Sequence, residues 1–110
     1  MEADTTIVLV NDEFEKLSGY RRNEVEGRMS WTGLIAEVDV ERMLAYHRLR
    51  RIDPDQAPRN YECRVRVKNG RIRSCFFTVA MIPDTRLSIA SITDVTEYRR
   101  LEQGIRTIRE

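Results

Sequence analysis

Side chains able to do covalent or metal chemistry are few in these 110 residues: one histidine, His47, and two cysteines, Cys63 and Cys75. A single imidazole excludes a histidine-rich metal site, and the cysteines lack the C-x-x-C spacing of zinc and redox motifs. A Cys63–His47 pair could in principle form a nucleophile and its base. No third group stands out to orient the imidazole, so no catalytic residue is assigned. With no signal peptide visible, the thiols read as reduced, small core residues of a cytoplasmic protein. Arg64, Arg66, Lys68, Arg71 and Arg73 could meet phosphate, but no aromatic platform accompanies them. The 19 basic and 18 acidic side chains leave a net charge of only +1, so no nucleic-acid partner is expected. No apolar run approaches the ~18 residues that span a bilayer, and no membrane contact is expected from this segment.

The elements that must position these groups can be read in order. "TTIVLV" is β-branched and apolar and stops at Asn11 and Asp12, which reads as a strand. Asn11 or Asp12 caps a short helix, "EFEKLSG", with Phe14 and Leu17 on one face and Gly19 as its stop. "RRNEVEG" is a second helical turn closed by Gly27, and "MSWTGLI" reads as irregular. Asp39 is expected to N-cap the main helix, "VERMLAYHRLRR", which places Val40, Met43, Leu44 and His47 on one face. "IDPDQAP" ends it.

"RNYECRVRV" then alternates, with Tyr61, Cys63, Val65 and Val67 opposite Glu62, Arg64, Arg66 and Lys68. Asn-Gly in "KNG" predicts a hairpin. The return segment "RIRSCFFTVAMI" is apolar on both faces from Phe76 onward, which predicts burial on both sides without saying which side is inward. After "PDT", "RLSIASITDV" completes a three-stranded antiparallel meander. The fold class is α+β, with helices crossing one face of the sheet. A composition of 41% hydrophobic and 34% charged residues suits one domain over residues 1–95, followed by a tail over 96–110.

Four stretches in this order, "VNDEFEKLSGYRRNEVEG", "EVDVERM", "YECRVRVKNGRIR" and "SITDVTEYRRLE", resemble the PAS domain, the sensory-box module of bacterial and archaeal signalling proteins. The resemblance implies a PAS fold: a five-stranded antiparallel sheet, helices on one face, and a C-terminal connector helix. One feature departs from that pattern. Only "MEADT" lies before the segment ending in "VLVN", too short for the family's first strand and a turn, and that strand would lie mid-sheet beside the last one. Either the sequence is a shortened piece, "TTIVLV" takes the vacant place, or another chain covers it. On this ground a homodimer is expected, because an uncovered strand edge leaves backbone groups unpaired.

The resemblance also implies where a small molecule would sit, between sheet and helices. Trp31, Met43, His47, Tyr61, Cys63 and the inward residues of "CFFTVAMI" are the candidate lining, and a filled core is the competing reading. No cofactor is the first expectation. Haem is an alternative, because haem-binding members take their axial histidine from the helix that carries His47. Flavin is disfavoured, since "RMSWTGLI" has no cysteine where light-sensing members form their adduct. Glu24, which matches the family's glutamate before the glycine, is expected to pair with Lys68.

In the tail, Asp94 and Glu97 fit a D-x-x-E capping box, with Thr96 as an alternative cap. Tyr98, Leu101, Ile105 and Ile108 fall at a/d heptad spacing, a seam that either meets a second copy or folds back on its own sheet. In the family such a helix leads to an effector, commonly a histidine kinase or diguanylate cyclase. The expected role is a sensory or interaction domain of a two-component or similar signal-transduction protein. It would pass a ligand- or partner-induced population shift through its tail. A ligand-free dimerisation module is the alternative.

Overall fold

The computed structural model describes residues 4–109, with side chains described for residues 4–103. Three antiparallel strands, β1 (Asn60–Arg66), β2 (Ile72–Met81) and β3 (Ser88–Asp94), stand in the order β1–β2–β3. The strict alternation of β1 buries Cys63 and Val65, with Val67 just beyond the strand. Cys63 lies opposite Cys75, which puts Cys75, Phe77 and Val79 on the same inward face. Gly70, at φ +88°, lets the hairpin turn close with the Val67 N–H donating to the Arg71 carbonyl.

Burial of "CFFTVAMI" on both sides is corrected. Phe76 is 39% exposed, and Ala80 and Ile82 also face outward among the described residues. The helices that precede the sheet lie over the opposite face, so only alternate residues of β2 meet a core.

Helices α1 (Asp12–Ser18), α2 (Arg22–Val25) and α3 (Glu37–Ile52) precede the sheet, with a 3₁₀ turn at Trp31–Gly33 inside the stretch read as irregular. The Asn11 side chain accepts the Phe14 N–H at 2.9 Å, and Gly19 ends α1 in the left-handed conformation. Lys68 Nζ lies 2.7 Å from Glu24 Oε1, as the resemblance implied.

The start of α3 differs from expectation. The helix begins two residues before Asp39, with Ala36 at the N-cap and no side-chain cap bond. Asp39 sits in the first turn, 6% exposed, and its Oδ2 accepts the Arg64 N–H of β1 at 2.8 Å. The reason is a short strip of backbone that runs along the free edge of β1. The Arg66 N–H donates to the Leu34 carbonyl at 2.7 Å and the Ala36 N–H to the Arg64 carbonyl at 2.8 Å. This strip brings the helix start so close to β1 that the carboxylate serves the strand instead of the helix.

"TTIVLV" joins no sheet, which corrects its reading as a strand. Its partner is the segment 27–31. The Ile7 N–H donates to the Met29 carbonyl, the Gly27 N–H to the Ile7 carbonyl and the Trp31 N–H to the Thr5 carbonyl, with one bridge between Thr6 and Ser30. Engaged there, residues 5–7 do not take the place beside β3. That strand therefore pairs with β2 alone among the described residues.

Candidate functional site

Between residues 7–11 and β3 lies a cavity of about 590 Å³, floored by the 3₁₀ turn, α3 and the sheet. Of the residues expected to line it, Trp31, Met43, His47 and Tyr61 do so, joined by Phe77 from β2. Cys63 does not; it is packed in the core beneath the sheet face, opposite Cys75. Burial pushes both the Cys63 and the Cys75 thiols up to about 12, which removes the thiolate a nucleophile would need.

Aromatic rings organise the floor. Trp31 and His47 stand 5.3 Å apart between ring centroids, and Tyr61 is held between Tyr46 at 5.1 Å and Phe77 at 5.7 Å. His47 is 3% exposed, and its Nδ1 lies 3.1 Å from Nη1 of Arg51. A guanidinium only donates, so Nδ1 is the acceptor in this contact.

Sequence reading missed two cations of this site, Arg50 and Arg51. Arg50 follows Met43 and His47 along the inward face of α3 and is only 4% exposed, with its Nη2 donating to the Pro58 carbonyl at 3.1 Å. The signal was available, since Arg50 stands at i+7 from Met43 and i+3 from His47, on the face already read as inward. Burial, and then the like charges of Arg50 and Arg86, hold the Arg51 guanidinium below its ordinary value. Burial also raises the Tyr61 phenol, while Arg50 beside it pulls the other way.

On the outer side of the sheet, β3 runs into α4 (Thr96–Arg109). Asp94 Oδ1 accepts the Thr96 N–H at 2.9 Å and the Thr96 hydroxyl at 2.6 Å, while its Oδ2 meets Arg73 Nε at 2.8 Å. The carboxylate of Glu97 lies 3.2 Å from Arg100 instead of returning to the helix start, so the expected capping box is replaced by Asp94 acting on Thr96. The Thr96 hydroxyl oxygen in turn accepts the Ser74 N–H at 2.8 Å, and the Val95 N–H donates to the Ser74 carbonyl at 2.8 Å. Arg99 ion-pairs with Glu62 of β1, which ties the first turns of α4 to the sheet. Tyr98 and Leu101 are 63% and 67% exposed. The side chains of Ile105 and Ile108 lie outside the described residues. Of the basic hairpin residues, Arg64 pairs with Asp39, Lys68 with Glu24 and Arg73 with Asp94, so three of them are spent on internal ion pairs.

Helices over one face of an antiparallel sheet, a cavity between the two layers, and a helix leaving the last strand agree with the sequence match. Residues 7–92 match the sequence model of a family described as the PAS fold. The chain belongs to the PAS family. This PAS domain is also similar to a solved structure described as a sensory box histidine kinase/response regulator from Burkholderia thailandensis E264. The two are 25% identical, with a TM-score of 0.65, and the alignment covers 90% of this chain and 76% of that one. A search among curated proteins gives no match. The PAS domain is a sensory module, and no described helix of this one is long and apolar enough to cross a membrane.

Proposed function

We propose that this PAS domain is the input module of a cytoplasmic signal-transduction protein, and that occupancy of its cavity is read out through α4. The observation that carries this is the double grip on Ser74. Its N–H is held by Thr96 and its carbonyl by Val95, while Phe77, three residues along the same strand, forms part of the cavity floor. A ligand that prefers one packing of helices on sheet would shift β2, and β2 would carry the base of α4 with it. The effector is a separate part of the polypeptide, of the histidine kinase kind in the similar solved protein and of the diguanylate cyclase kind as the other option.

The active unit is a homodimer. Tyr98 and Leu101 are half of the a/d seam, and both stay exposed where Arg99 holds the helix to the sheet. No resident cofactor is required by this reading. Haem on His47 is the alternative, and added haemin giving no Soret shift would exclude it.

Native mass spectrometry of the purified chain tests both parts at once. A dimer carrying a small-molecule adduct is the expected result. A dimer free of adduct across expression hosts would favour a ligand-free dimerisation module. A monomer at high concentration would sink the dimer.

A further inference from the structure

The polar groups at the floor of the cavity share one property. Arg50 is a permanent cation, 4% exposed, in the lining of a cavity whose other walls are largely aliphatic and aromatic. Among the described residues it donates to the Pro58 carbonyl and stands beside the Tyr61 phenol but ion-pairs with no carboxylate. The one carboxylate in the described lining belongs to Glu13, which is exposed and lies 3.3 Å from Lys16. Arg51, held against His47 and Ser88, and Arg86 add like charge nearby. Trp31, 8% exposed and also in the lining, carries the only buried side-chain nitrogen or oxygen of the described residues that lacks a hydrogen-bond partner, its indole Nε1–H. Burying a cation without a counter-charge, or a donor without an acceptor, costs free energy that a complementary ligand would return.

From this arrangement we infer that the cavity recognises a small organic carboxylate with an apolar body, its head group at Arg50 with Trp31 donating. Resting on the reading of the cavity as the sensory site, this names the class of molecule sensed. A guanidinium carries five N–H donors in a fork that matches the two oxygens of a carboxylate, and only Nη2 of Arg50 is committed to a backbone carbonyl among the described residues. The Arg50 guanidinium and the Trp31 indole N–H can only donate, which favours an acceptor at these two groups over an amine. Ile7, Leu34, Met43 and Phe77 around them supply the surface for a hydrocarbon body.

Trp31 is the single tryptophan, so its fluorescence reports on this floor directly. The full chain is titrated with straight-chain carboxylates from acetate to decanoate, with the primary amides of the same lengths, and with inorganic phosphate. Medium-length acids are expected to change the Trp31 emission and raise the melting temperature, binding at least tenfold tighter than their amides. Arg50→Gln is expected to weaken acid binding at least tenfold and leave amide binding unchanged. Arg50→Lys, which keeps the charge without the fork, should fall between. Amides binding as well as acids would overturn the carboxylate inference and leave the sensory cavity standing. Phosphate or acetate binding as well as the longer acids would overturn the apolar body. Neither acids nor amides binding at millimolar concentration would overturn the inference, while a small-molecule adduct in the native mass spectrum would leave the sensory reading standing. Should Arg50→Gln fail to fold, the acid-to-amide comparison on the unaltered chain and Arg50→Lys still decide the matter.

Discussion

Replacing Asp39 by alanine tests the account of how the long helix is fastened to the sheet. In the structure the carboxylate is 6% exposed and accepts the Arg64 N–H at 2.8 Å, with Arg42 at 3.4 Å and Arg64 Nε at 3.6 Å. Losing a charge-assisted hydrogen bond to a partly buried donor costs about 1.5–3 kcal/mol. The two partly exposed guanidinium contacts add roughly 0–1 kcal/mol between them. The expected loss is therefore about 2–4 kcal/mol, or a fall of ~10–20 °C in melting temperature for a domain of this size. Asp39→Asn keeps an acceptor for the Arg64 N–H and should lose roughly 1 kcal/mol. Asp39→Ser separates this account from helix capping. A serine caps as well as aspartate does, so an N-cap role predicts near-complete rescue, whereas a bond to β1 predicts none because the shorter side chain does not reach. Urea unfolding of the four proteins, compared at constant slope, gives the numbers. An Asp39→Ala change within about 0.5 kcal/mol of the parent, the usual range for surface substitutions, would refute the reasoning, as would full rescue by serine.

Two further outcomes follow from the electrostatics. Cys63 and Cys75, with thiols pushed up to about 12, should react with Ellman's reagent at pH 8 far more slowly in the native protein than in urea. Rapid labelling of the folded chain would contradict their burial. Burial pushes the Asp94 carboxyl up, but bonds from Thr96 and Arg73 outweigh it and hold it below the ordinary 3.8. The unfolded chain then binds that proton more readily, so the contribution of Asp94 is present above this value and is lost as pH falls below it. Asp94→Asn should accordingly flatten the stability curve below pH about 4 and leave its slope above that unchanged. Parallel curves for the two proteins would count against the Asp94 network.

Sequence alone determined the meander and its inward face on β1. Strict alternation over Tyr61–Val67 and an Asn-Gly turn depend on neighbours along the chain, and both signals survive any packing. It also determined α1 and its Asn11 cap, the pairing of Glu24 with Lys68 through family pattern, and the PAS assignment itself. Four of the five expected lining residues could be named in advance, because the face of α3 that carries Met43 and His47 is readable from helical spacing.

Tertiary structure decided what local pattern leaves degenerate. An apolar run such as "CFFTVAMI" has the same composition whether one or two layers cover it, and only the placement of the helices exposed Phe76. "TTIVLV" has strand propensity, but propensity does not choose a partner, and the backbone of residues 27–31 took it. Asp39 has the residue type of a cap, yet the strip at residues 34–36 brought it to Arg64 across a long sequence separation. Arg50 shows the same limit most sharply. Arginine is normally read as surface, and only the three-dimensional arrangement shows a buried guanidinium that lines a cavity and ion-pairs with no carboxylate among the described residues. Charge and period are written along the chain, while burial and partner depend on what folds over them.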